Sequence, residues 1–148
     1  MLTLTIINDR NIFDSQCQTI VNTINCVGVM GKGIALEMKK RYPEMFDKYK
    51  DYCDKGLIDV GKLWLYKHSD EKWILNFPTK KHWKNKSEYE YIESGMIKFI
   101  ETYKERGIKT IAFPMLGCSN GGLDKDIVIQ IMAKYLIQCT DLIVEIYV

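Results

Sequence analysis

The chain has 148 residues, 47% hydrophobic and 27% charged, with a formal net charge of +2, the composition of a single globular domain with a substantial core. No apolar run approaches the roughly 20 residues that cross a bilayer, and the N-terminus reads as a strand and not a basic leader, so a cytoplasmic, monomeric protein away from membranes is expected. Five cysteines without a CxxC pair and two separated histidines, His68 and His82, argue against a disulfide framework, a metal site and a metal cofactor, while so small a net charge confines any nucleic-acid binding to a local patch.

In chain order, Thr3–Ile7 is the first strand candidate and Thr19–Asn25 the second, both rich in β-branched residues. A glycine-rich loop follows, Asn25-Cys26-Val27-Gly28-Val29-Met30-Gly31-Lys32-Gly33. Ile34, Ala35, Met38 and Tyr42 then stripe a short helix ended by Pro43, and Glu44–Cys53 reads as another. Lys62–Tyr66 and Trp73–Phe77 are strand candidates, the second running into the basic loop Pro78-Thr79-Lys80-Lys81-His82-Trp83-Lys84. Ser87 and Glu90 have capping-box spacing. Behind them Ile92, Met96, Phe99 and Tyr103 keep one apolar face until Gly107 supplies a stop. Thr110–Phe113 leads into a second glycine loop, Leu116-Gly117-Cys118-Ser119-Asn120-Gly121-Gly122. A helix striped by Val128, Met132 and Leu136 and a last strand, Leu142–Tyr147, complete the chain.

Strands alternating with helices imply an α/β fold whose sheet is mainly parallel and covered on both faces. The loops after Asn25, Phe77 and Phe113 then gather at the carboxyl edge, where such sheets bind ligands. Glycines turn backbone N–H groups toward an anion and a helix N-terminus adds a favourable dipole, so two glycine loops suggest two phosphates, with Lys80 near the reacting end. Either loop glycine is expected to accept valine without loss of the fold. The basic loop carries four lysines with His82 and Trp83 and no acid between Lys80 and Ser87. That suits a nucleic-acid chain, and from charge alone a solvated loop whose tryptophan covers a core edge is the plainer reading. The first glycine loop lacks the spacing and the Ser/Thr of a P-loop, and Leu36 stands where a dinucleotide fingerprint needs its third glycine. Cys26 and Cys118 have no assignable His and Asp partners for nucleophilic work.

Ile20 to Ala35, Asn76-Phe77-Pro78-Thr79-Lys80-Lys81-His82-Trp83 and Leu116 to Leu123 resemble the ligand segments of macrodomains, the ADP-ribose-binding fold. Within it they are closest to the branch holding the terminal ADP-ribose protein glycohydrolase and the DarG antitoxin. The resemblance implies a three-layer α/β/α domain with a mixed, mainly parallel sheet over residues 1–148. Lys80 aligns with the catalytic lysine of that branch. Asn25 with Gly28, Val29, Met30, Gly31 and Gly33 would hold the distal ribose, and Gly117, Cys118, Ser119, Asn120, Gly121 and Gly122 the diphosphate. Asn11, Ile12, Asn22, Thr79 and Leu116 join the ligand-binding set, while Lys81, Trp83 and Lys84 are candidate nucleic-acid contacts.

Two departures bear on the substrate. Arg10-Asn11 replaces the Gly-Asp whose acid contacts adenine, so an amide or backbone must serve there. Gly121 stands where the protein-directed glycohydrolase has an aspartate, which favours the DNA-directed antitoxin. The implied function is a lysine-dependent, metal-independent ADP-ribosyl hydrolase acting on modified DNA, with a cognate ADP-ribosyltransferase toxin as a candidate partner. Glutamate-linked ADP-ribose, O-acyl-ADP-ribose and a non-catalytic reader stay open as alternatives. Crowding by Lys81 and Lys84 with partial burial is expected to lower the Lys80 pKa.

Overall fold

In the computed structural model, which describes residues 1–148, six strands form: β1 (Thr3–Ile7), β2 (Thr19–Ile24), β3 (Trp64–Lys67), β4 (Trp73–Pro78), β5 (Thr110–Pro114) and β6 (Ile143–Tyr147). They make one sheet in the order β1-β6-β5-β2-β4-β3. Every neighbouring pair is parallel except the β3–β4 hairpin, so the mixed, mainly parallel sheet expected from the sequence is the one the chain builds. Four helices cover it: α1 (Gly33–Arg41), α2 (Pro43–Asp54), α3 (Tyr89–Thr102) and α4 (Lys125–Leu136). Ends move by one to a few residues from the sequence expectation, as fraying ends do.

The period of two along each strand divides the core. Val21, Leu75, Phe77, Ile111 and Phe113 point into a cluster of 20 buried residues shared with α3 and α4. Ile20, Ile24, Ile74 and Ala112 point to the other face, into a cluster of 11 with α1 and α2. The inner strands β2 and β4 are buried on both faces, which is why they read as nearly continuous apolar runs. Two polar residues interrupt them in register, Asn22 opposite Asn76. The Asn22 amide donates to Asn76 Oδ1 at 3.0 Å, so each partly compensates the burial of the other.

Two local expectations are corrected. Pro43 does not simply end a helix; it is the first residue of α2, and Tyr42 before it is held out of helical geometry at φ −131° and ψ 67°, as a residue preceding proline is. The Ser87/Glu90 capping box does not form. Glu88 is the N-cap of α3 and no side chain caps it, because Ser87 is drawn inward, 4% exposed, with its backbone N–H donating to Gly121 O at 3.0 Å.

Inside α3, Gly95 lies against β4 so closely that a Cβ would stand 2.2 Å from the Phe77 ring. Gly95→Ala therefore forces the helix off the sheet. It is expected to lower the unfolding free energy by about 1–3 kcal/mol, in denaturant titration, although alanine is the better helix former.

Candidate active site

Because β4, β2 and β5 are adjacent and parallel, the loops that follow them emerge side by side. With α1 they wall a cleft of about 630 Å³, within the range of small-molecule sites. Asn25, Val29, Gly31, Gly33, Thr79, Lys80, Trp83, Lys84, Gly117, Cys118, Ser119, Asn120 and Gly121 all line it. The sequence singled out each of them.

The loop after β2 is shaped by one side chain. Asn25 Oδ1 accepts from the backbone N–H groups of Val27 at 3.0 Å and Val29 at 3.4 Å, and its Nδ2 donates to Val29 O at 2.7 Å. The phenol of Tyr49 on α2, fully buried, lies 2.7 Å from Asn25 O and 2.8 Å from Oδ1. The amide is thereby locked with its oxygen inward, leaving one N–H for the cleft. Sequence reading missed Tyr49, whose place in the α2 stripe looks like that of any core aromatic.

This loop ends at the start of α1, which no side chain caps. The N–H groups of Gly33, Ile34 and Ala35 find no acceptor in the protein; Leu36 N, bonded to Lys32 O at 3.3 Å, is the first that does. Across the cleft, Ser119, Asn120 and Gly121 also keep unpaired N–H groups. The two sides come close where a Cβ on Gly33 would lie 3.2 Å from Asn120 Nδ2. Six free backbone donors, three of them at a helix N-terminus, make an anion cradle.

The charges agree with the donors. Lys32, Lys80, Lys84, Lys86 and Lys125 line the cleft without one aspartate or glutamate, and none is in an ion pair. Lys80 Nζ donates to Trp83 O at 3.3 Å. Its loop is fastened to the one after β2 by Thr79 N to Ile24 O at 2.9 Å and Cys26 N to Lys81 O at 3.2 Å. Burial and then the neighbouring Lys32 hold the Lys80 pKa below the ordinary lysine value. The direction expected from sequence is right and the neighbour is different, since Lys81 turns out of the cleft with its Nζ 5.8 Å from the Tyr91 ring centroid. Cys26, raised to about 11 by burial and then by Asp59, and Cys118, also raised by burial, are unreactive thiols.

The remaining sequence candidates stand behind or beside the walls. Asn22, Met30 and Leu116 are buried in the cores. Gly28 backs onto α2, where a Cβ would meet Lys50 Cγ at 3.4 Å. Gly122, at φ +78°, turns the second loop from outside the cleft. Asn11 and Ile12 line a shallower neighbouring cleft that shares Gly33, Ile34, Pro114, Tyr147 and Val148 with the first. Asn11 Oδ1 is occupied there by Phe13 N at 2.9 Å.

The loop glycines differ in a way the sequence does not reveal. A Cβ on Gly121 would lie 2.2 Å from Ser87 Oγ and 2.4 Å from Gly117 O, whereas a Cβ on Gly31 would meet only Val29 Cγ1 at 3.5 Å. The expectation that either accepts valine without loss of the fold is corrected for Gly121. Gly121→Ala is expected to lose about 1–3 kcal/mol, and Gly31→Ala to stay within about 0.5 kcal/mol of the wild type, both read from unfolding midpoints.

The Macro domain family model matches residues 21–132. A DNA ADP-ribosyl glycohydrolase of Mycobacterium tuberculosis is 45% identical over 133 residues, covering 88% of this chain and 38% of its own length. A DNA ADP-ribosyl transferase-DNA ADP-ribosyl glycohydrolase fusion protein of Thermosipho africanus is 40% identical over 146 residues, again 38% of its length. The chain thus spans little more than a third of these curated relatives. Among solved structures, the macrodomain of Mycobacterium tuberculosis DarG superposes with a TM-score of 0.91 at 41% identity, covering 99% of this chain and 97% of that one. The macrodomain of Thermus aquaticus DarG gives 0.93 at 34% identity, covering 100% and 99%, and Thermosipho africanus DarTG in complex with ADP-ribose gives 0.91 at 40%, covering 98% and 41%. Sheet order, cleft and family match agree, and the chain belongs to the macrodomain family.

Proposed function

We propose that this chain is the ADP-ribose-hydrolysing domain of a DNA ADP-ribosyl glycohydrolase, with Lys80 as its catalytic amine. The observation that carries the reading is the surroundings of Lys80: an amine with a lowered pKa, in a cleft whose charged walls are all lysine, beside six free N–H donors. Supporting it are the near-complete match to DarG macrodomains and the relative that holds ADP-ribose. The diphosphate lies between the start of α1 and the 117–121 loop. The distal ribose faces Asn25, whose one free N–H donates to a sugar oxygen. Adenine reaches toward Asn11, whose Oδ1 already accepts from Phe13 N and keeps a second lone pair for the amino group, while its Nδ2 is free to donate to a ring nitrogen.

Hydrolysis breaks the bond between the anomeric carbon of that ribose and the base. Positive character grows on the carbon as the bond breaks, and a protonated lysine beside it would oppose the reaction. A neutral amine serves it in one of two ways. It attacks the carbon, forming a C–N bond while the base leaves with the bonding pair and gains a proton, after which water releases the sugar. Alternatively it takes a proton from the water that attacks. Both need the unprotonated form, which the lowered pKa makes more abundant at neutral pH. The same reading places the protein with cellular DNA in the cytoplasm and gives it an ADP-ribosyltransferase partner, since a relative carries both activities in one chain.

Lys80→Ala is expected to cut turnover by about 10²–10⁴-fold while ADP-ribose affinity stays within a few-fold, because the loops and Asn25 supply the ground-state binding. Lys80→Arg gives no rescue, as a guanidinium stays protonated. ADP-ribose released from modified DNA, ADP-ribosyl-glutamate protein and O-acetyl-ADP-ribose, measured in parallel, decides the acceptor. Undiminished turnover by Lys80→Ala sinks the catalytic role, and wild-type binding without turnover of any acceptor makes the domain a reader.

The pH dependence tests the amine separately. Turnover should climb as pH rises through the depressed Lys80 pKa and then level off. Lys32→Gln removes a positive neighbour that holds this pKa down, so the pKa moves up and the climbing limb shifts to higher pH. A limb left in place would remove Lys32 from the account.

A further inference from the structure

We infer that Lys84, Lys86 and Lys125 form a second anion subsite on the rim of the cleft, which takes backbone phosphates of the nucleic-acid chain carrying the ADP-ribose; this rests on the DNA-directed reading above. The argument begins with charge. Five lysines line the cleft without an acid, in a chain whose net charge is only +2. A diphosphate brings one negative charge per phosphate, and six unpaired N–H groups are already placed for it. Lys32 and Lys80 sit where that ligand binds and reacts. Lys84, Lys86 and Lys125 are surplus to it.

Their placement has a direction. All three are exposed, and their ammonium groups make no hydrogen bond or ion pair. Lys84 Nζ lies 5.1 Å from the ring centroid of Trp83, which is 48% exposed and whose carbonyl accepts from Lys80. Lys86 runs beside the second glycine loop, its Cδ 3.9 Å from where a Cβ on Gly122 would be, and Lys125 is the first residue of α4. The rim thus offers an aromatic face next to the reacting amine and a file of unpaired ammonium groups on the cleft lining. A base stacks on such a face and successive phosphates pair with such a file. An acidic peptide would use the charge but leave the ring idle. Lys81, over Tyr91 and outside the cleft, is not part of the file.

The test uses Lys80→Ala protein, so that substrate survives, and measures binding of free ADP-ribose, of an oligonucleotide ADP-ribosylated on one base, and of an ADP-ribosylated glutamate peptide across a salt series. The plot of log affinity against log salt should be steeper for the oligonucleotide than for free ADP-ribose by about 2, from three phosphate contacts at about 0.7 each. Lys84→Ala/Lys86→Ala/Lys125→Ala should remove that excess and lower oligonucleotide affinity at least about tenfold more than ADP-ribose affinity, while Lys81→Ala keeps the steep slope. Equal slopes for the two ligands, or equal losses in the triple variant, would overturn the subsite, the second because the lysines would then serve the diphosphate. A peptide slope as steep as the oligonucleotide slope would overturn the nucleic-acid assignment. Failure to bind free ADP-ribose at all would instead strike the functional reading beneath it.

Discussion

Backbone N–H groups that find no carbonyl are the constraint on which this site depends. A parallel sheet places the ends of β2, β4 and β5 at one edge, and the chain leaving that edge must either pair its amides or offer them to something else. Here α1 starts without a capping side chain, and the loop after β5 leaves three amides open in the same cleft. Water satisfies such donors adequately, and an anion does so better because the charge-assisted bond is stronger. An acid-free lining keeps competing carboxylates away from donors that an anion would satisfy.

Holding those amides open demands that the loops be rigid, and each loop is braced from beneath by a buried polar side chain. Tyr49 and Asn25 brace the first, through bonds of 2.7 and 2.8 Å inside the α2 face. Ser87 braces the second by contact: its N–H is bonded to Gly121 O and its buried hydroxyl, without a partner of its own, fills the space that a Cβ on Gly121 would need. An unpaired buried hydroxyl costs about 1–3 kcal/mol. The fold tolerates it where α3 begins, at the point joining the 117–122 loop to the larger core.

Much of this was legible in the sequence, for a physical reason. Strands buried on both faces are long apolar runs, amphipathic helices repeat at 3.6 residues, and loops at a ligand edge are rich in glycine, so all six strands and four helices announce themselves. What misled was local chemistry overruled by tertiary contacts. Ser87 and Glu90 have the spacing of a capping box, but the gain from packing Ser87 under Gly121 outweighed a cap at the surface. Asn22 joins the ligand-binding set by resemblance and faces Asn76 within the core. Gly31 and Gly121 are indistinguishable as letters. The positions of Ser87 and of Gly117 O make one of them indispensable to the backbone. Tyr49 and Lys125 went unseen because nothing in a linear pattern says which way a helix residue faces a loop far away in sequence.

The lysine-lined cleft also resolves a tension in the chemistry. Within the proposed mechanism, the positive charge of Lys32 joins burial in lowering the Lys80 pKa, so the neutral amine is more accessible in an empty cleft than in a free lysine. A bound diphosphate offsets part of that field and by itself would push the pKa back up. Burial, the larger cause of the depression, acts the other way: a ligand that covers Lys80 removes more water from it and strengthens the desolvation that opposes the ammonium form. On the proposed mechanism, the amine is kept neutral in the complex only if covering outweighs the ligand's charge.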